Sequence, residues 1–424
     1  MENTIPQHSD WDWETSEKSI VTGDWKDKFG WVEEPYASPD GEKIASIVNI
    51  DEGEFSVCVN GEAWEEVFDK IWYLRFSPDG RLTALVSDMG EWTVAVDGEA
   101  WEGRYGYVWN TKFSPDGKNI AVAVQQDMEY CAAINDVTWD ETFRNMTDLA
   151  LSPDGTGTAA VVQVVAFGEA DIHIFQKGAY SVALNGNVWH SRFVNVWNPV
   201  ISPDNKKVAA SVRLNLYDYT IAVNDVTWNK SYNCVWEPLF HPDRGSVIAP
   251  VRTEGKWNLA EDGNLIWGRS FLQLWHQMFS PDGRRIAAIV APKFGKWTVA
   301  VDGKPWSATF NTMVTDAVFS PDGSRVAALG KQDDTWHIAV DGKVWKNKAE
   351  MAWKPVFSPD NSRVAAKIEK QGKYTFVIND RLWSRASDAA WDPVFSPDGE
   401  KILLRTIEDG KYYRRIVPVG EIVR

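Results

Sequence analysis

"AVFSPDGSRVAALGKQDDTWHIAVDGKVW", residues 317–345, contains four short apolar runs separated by turn signals, and reading them decides the fold. The run Ala317-Val318-Phe319 meets Ser320-Pro321-Asp322-Gly323, where proline presets φ and glycine supplies a positive φ. "RVAALG" is small and β-branched, which predicts a second strand. "WHIAV" alternates as a third. Asp341-Gly342 then predicts a two-residue hairpin, because a type I′ turn needs positive φ at both central positions. "KVW" opens a fourth strand. Four antiparallel strands in about 39 residues describe a propeller blade.

The unit recurs along the chain. Ser-Pro-Asp turns begin at Ser38, Ser77, Ser114, Ser152, Ser202, Ser280, Ser320, Ser358 and Ser396, and a degenerate copy begins at His241. Successive copies lie 37 to 40 residues apart except for one spacing of 50. Length alone suggests two or three domains for 424 residues; the repeat replaces that expectation with an all-β propeller of ten blades. A boundary between two five-bladed rings would fall near residues 230–245. The repeat register runs through that stretch without a linker, so a single ring is preferred. The stretch 19–37 resembles the second half of a blade and 401–419 the first half, so the termini are expected to share a closing blade. The arm before it covers residues 1–18 and the propeller 19–424.

The chain has 24 tryptophans, and nearly all keep the repeat register. Ten follow the hairpin turn, among them Trp25, Trp139, Trp228 and Trp306. Seven precede the Ser-Pro turn, from Trp72 to Trp391. Four open the third strand, where other blades carry Phe or Tyr. A residue fixed to the register does the same job in every blade, and packing blade on blade is the simplest such job. The alternative is an aromatic lining for a sugar or peptide.

A formal net charge of −16 argues against adhesion to nucleic acid or anionic lipid. The N-terminus lacks a basic and then apolar signal pattern, and no run approaches a membrane span, so a cytoplasmic protein is expected. Cys58, Cys131 and Cys234 are odd in number and far apart, which fits a reducing compartment. The six histidines form no metal-ligand spacing, and no nucleophile elbow or phosphate loop occurs. The expectation is therefore no catalytic residues, no metal and no cofactor, with the turn aspartates serving as local caps and His241 as a structural substitute for serine.

Three features stand outside the repeat. The insertion near 163–180 carries Phe167, Ile172, Ile174 and Phe175, which are unusually apolar for a solvated loop; it reads as a docking surface or as a padded hairpin. The arm carries Trp11 and Trp13. The C-terminal stretch, with Arg414 and Arg415, is locally basic, which suggests either a contact surface or a charged edge strand. These eight residues are the candidate partner-binding set.

The "SPDG-x-x-[IV]-A" unit resembles the repeat of TolB-type propellers. The tryptophan load and acidic character make the chain similar to the tryptophan-rich subunits of the transmembrane redox complexes (Tmc) of sulfate-reducing bacteria. That resemblance implies an accessory subunit without cofactors, attached to iron–sulfur and cytochrome subunits. Any membrane association, peripheral at the inner membrane, would go through those partners. The expected function is a non-catalytic scaffold for protein–protein interactions, with a ligand- or carbohydrate-binding propeller as the alternative.

Overall fold

A computed structural model describes residues 8–166 and 171–422. Its strands form ten antiparallel sheets, arranged as a ten-bladed β-propeller in a single ring. Blade 8 shows the pattern: strands Met313–Phe319, Val326–Gln332, Thr335–Val340 and Lys343–Ala349 pair in chain order. Blades 2 to 6 form one compact unit, and blades 1 and 7 to 10 the other.

The turn chemistry read from the sequence is realised atom by atom. At the hairpin, Asp341 and Gly342 both have positive φ. The Asp341 carboxylate also accepts the backbone N–H of Val326, the first residue of the second strand, at 2.9 Å. Asn and Asp suit this place twice over, since they tolerate the left-handed region and bring their own acceptor. In the Ser-Pro-Asp turn, Ser320 Oγ donates to Asp322 at 2.6 Å and accepts the Arg325 N–H at 3.0 Å. Asp322 accepts the Ser324 N–H at 2.9 Å. The turn aspartate thus caps its own backbone. In blade 6, His241 takes the serine's place, and its Nδ1 accepts the N–H groups of Asp243 and Arg244 at 3.1 and 3.2 Å.

The first strand takes one of two forms. In blades 2, 3, 4, 5, 7 and 8 it is continuous but bulged, with one left-handed residue: Tyr73, Asn110, Asp148, Asn198, His276 or Asp316. In blades 1, 6, 9 and 10 it is split in two. Each split blade has proline three residues before the turn (Pro35, Pro238, Pro355, Pro393), where a missing N–H cannot continue the ladder. Blade 5 also has such a proline, Pro199, and absorbs it in its bulge.

The hairpin tryptophans press on the turn of the following blade. A Cβ placed on Gly342 of blade 8 would lie 3.1 Å from Trp306 of blade 7, and one on Gly186 of blade 4 would lie 3.4 Å from Trp139 of blade 3. Glycine at the turn therefore leaves room for the neighbouring indole as well as supplying positive φ. Behind this contact, the Ala-Ala pairs of the second strands let consecutive sheets approach. One such core joins Ala287, Ile289 and Val299 to Val314, Val326 and Ala328.

Closure follows the expected logic with one correction. The N-terminal segment supplies only the outermost strand, Glu17–Val21, paired antiparallel to Lys411–Pro418. The C-terminal segment supplies the other three, because Lys411–Pro418 is already a full hairpin partner of Lys401–Glu408. Arg414 and Arg415 sit in this closing blade and are 1 % and 4 % exposed. They do not form a basic contact surface. Arg414 Nε donates to the Asp40 carbonyl at 2.9 Å and lies 2.9 Å from Glu42, and its Nη2 donates to the Asp12 carbonyl. Arg415 pairs with Glu17 and Glu408. Sequence alone counts these as surface charges; strand pairing turns them inward, where Arg414 ties the arm and the closing blade to blade 1 and Arg415 pins the N-terminal strand within the closing blade.

Candidate functional site

The residues that depart from the repeat on the exposed surface gather on blades 2 to 5. The hairpins joining second and third strands have acidic or polar tips in blades 1, 6, 8, 9 and 10: Glu52-Gly53, Glu254-Gly255, Asp333-Asp334, Gln371-Gly372 and Asp409-Gly410. In blades 2, 3 and 5 the same tips carry Met89, Met128 and Tyr217, which are 91 %, 74 % and 73 % exposed. Blade 4 has the insertion at this place, and its Ile172 is 60 % exposed. Blade 7 shares the feature through Phe294. Four consecutive blades of one unit therefore present apolar side chains at one register position.

On the first strands of blades 2 and 3, the aromatic residues form a continuous ladder. Trp72 lies 4.6 Å from Trp92, and Tyr107 lies 5.6 Å from Trp92 and 5.9 Å from Trp109, which meets Tyr130 at 5.8 Å. Trp72, Tyr73 and Tyr107 keep about half or slightly less of their surface exposed. The other tryptophans before the turns also meet a third-strand ring, as Trp236 does on Trp257 at 5.4 Å. This class is therefore half mortar and half surface; of the ten assigned to the hairpins, Trp25, Trp267 and Trp383 are buried and the other seven half-buried.

The insertion contains a short helix, Ile172–Gln176, between the second and third strands of blade 4. Ile172 is exposed, and Ile174 and Phe175 are half-buried. Phe167 lies outside the described residues. In the other unit, the arm holds Trp11 and Trp13 half-buried: His8 stacks on Trp11 at 3.8 Å, Trp11 on Trp13 at 6.2 Å, and Trp13 Nε1 donates to the His8 carbonyl. Lys401 donates to the Trp13 carbonyl at 2.9 Å, so the arm lies against the closing blade. The structure brings Trp11, Trp13 and Arg414 into one neighbourhood through Asp12, while Ile172, Ile174 and Phe175 belong to blade 4.

Sequence reasoning passed over the hairpin-tip methionines, although their offset from the Ser-Pro turn could have shown them. It also passed over an aromatic thirteen residues after the third-strand ring, seen as the backbone bridges Phe55 to Phe68 and Trp92 to Tyr105. Burial raises the thiols of Cys58 and Cys131 to about 11. Among the described residues, no three His, Cys, Asp or Glu side chains are grouped to hold a metal ion, and no helix is long and apolar enough to cross a membrane.

No family model and no curated protein matches the chain. Among solved structures, a crystal structure of the eukaryotic initiation factor is similar at a TM-score of 0.46 and 12 % identity, covering 83 % of this chain and 96 % of that chain. A likeness of that degree carries no functional argument.

Proposed function

We propose that this propeller is a non-catalytic scaffold that docks a partner protein on the hairpin face of blades 2 to 5. The observation behind it is the run of apolar tips at Met89, Met128, Ile172 and Tyr217, where five other blades carry charged or polar residues. Exposed apolar surface on consecutive repeats is costly in water unless something covers it. Methionine and tyrosine are also suited to interfaces, being adaptable and amphipathic respectively.

The finer reading is a cytoplasmic accessory subunit of a membrane redox complex of the Tmc type, with cytochrome and iron–sulfur partners. It rests on the tryptophan load and the acidic charge. The test is copurification from the native membrane fraction, comparing wild type with a Met89→Ser/Met128→Ser/Ile172→Ser/Tyr217→Ser variant of unchanged circular dichroism. Redox subunits held in fixed ratio by wild type and lost by the variant support the proposal. Equal retention of those subunits by the variant, or no subunit in fixed ratio, overturns it. The exposed ladder of Trp72 and Tyr107 favours a second reading, a sugar-binding propeller, which predicts a rise in melting temperature with oligosaccharides.

A further inference from the structure

Blade 2 contains a cavity of about 410 Å³ whose lining includes Glu65, Glu66, Asp88, Glu91 and the buried Thr93. The repeat supplies the control for reading it. Where the residue after the third-strand aromatic is a hydroxyl, it normally donates to the carbonyl ten residues on. Ser181 donates to Ser191 at 2.8 Å, Thr220 to Lys230 at 2.8 Å and Thr298 to Ala308 at 2.6 Å. Thr93 breaks this rule. It is 3 % exposed, and its Oγ1 has no hydrogen-bond partner. The carbonyl it would use, that of Gly103, accepts Arg104 Nη1 at 3.3 Å instead. Arg104 also lines the cavity, but its Nη1 is turned to the carbonyls of Trp101 and Gly103. The four carboxylates belong to exposed residues, and among the described residues none is ion-paired to Arg104, the one basic residue of the lining.

A buried hydroxyl without a partner is destabilising, and four carboxylates without a counter-ion line the same cavity. Both conditions are relieved by one kind of occupant, a cation that carries N–H donors. The mouth of the cavity adds the rest of the specificity. Met89 stands between Asp88 and Glu91 in the hairpin, 91 % exposed, and Val67, 44 % exposed, lines the cavity.

We infer that this cavity receives a lysine or arginine side chain from a basic amphipathic segment of the partner protein, whose apolar face lies on Met89 and Val67. This rests on the scaffold reading and names the chemistry of the partner. Charge complementarity selects the occupant: the carboxylates and the Thr93 oxygen all accept hydrogen bonds, and the adjoining Met89 and Val67 fit an apolar helix face.

The test titrates the full chain with a Leu/Lys amphipathic peptide, read by tryptophan fluorescence and calorimetry. Saturable binding is expected. It should weaken at least tenfold in Glu66→Gln/Glu91→Gln and severalfold in Thr93→Val. It should stay unchanged in Glu254→Gln/Asp334→Asn, which removes the same charge from other blades. No saturable binding overturns the inference, as does equal weakening by the distant pair. Full occupancy by spermine at the peptide's own affinity also overturns it, because the site would then take a free polyamine. Thr93→Val removes a hydroxyl that has no partner, so its fold is expected to be intact. If the peptide fails while the four-tip variant still releases a fixed-ratio partner, the cavity assignment falls and the scaffold reading stands.

Discussion

Replacing Arg414 with alanine tests whether the buried guanidinium holds the ends of the chain together. In the folded protein it is 1 % exposed; Nε donates to the Asp40 carbonyl at 2.9 Å and Nη2 donates to the Asp12 carbonyl. Hydrogen bonds with one charged member contribute about 1.5–3 kcal/mol each. The Glu42 ion pair adds less, because Glu42 keeps 35 % of its side-chain surface exposed. Removing the charge also removes its own desolvation cost, which offsets part of the loss. The net cost is about 3 kcal/mol, confined to the arm and its strand, and corresponds to a roughly hundredfold rise in local opening. Native-state trypsin cleavage at Lys18, inside the strand Glu17–Val21, reads that opening directly when reclosing is fast. Arg284→Ala is the control, since its side chain is 82 % exposed and it should leave the rate unchanged. A cleavage rate in Arg414→Ala within about twofold of wild type would refute the closure argument.

Gly342→Ala is expected to lose about 1–2 kcal/mol from left-handed strain alone and more from its 3.1 Å approach to Trp306, as measured by urea unfolding. Gly255→Ala has a similar φ but open space around it, so the excess of the first over the second isolates the indole contact. For pH, the Ser320 hydroxyl and then the Ser324 N–H hold the Asp322 carboxyl below its ordinary value. Its contribution is complete above the unfolded carboxyl's range and is lost as pH falls through the depressed folded value. Ser320→Ala should therefore shift acid unfolding to higher pH, followed by tryptophan fluorescence; an unchanged acid midpoint would count against the capping role.

Much of the fold was legible because each blade is specified by local chemistry. Proline before aspartate and glycine, an Asp-Gly or Asn-Gly pair between alternating runs, and a tryptophan after it are short-range signals, and repetition removed the ambiguity of any one copy. The site was less legible. Met89 and Met128 look like ordinary turn residues until the tips of ten blades are set side by side. Thr93 cannot be told from Thr220 or Thr298 by sequence, because the difference lies in which group reaches a carbonyl ten residues on.

The sequence by itself determined the all-β class, the count of ten units, the turn conformations and the register of the tryptophans, since these depend on backbone preferences spanning a few residues. Tertiary structure decided the rest. It turned Arg414 and Arg415 inward, gave the N-terminus one closing strand in place of half a blade, and left a buried hydroxyl unpaired in a cavity that four carboxylates also line. Each of these outcomes depends on contacts between residues far apart in the chain or on competition for a single acceptor, and no local propensity encodes which contender prevails.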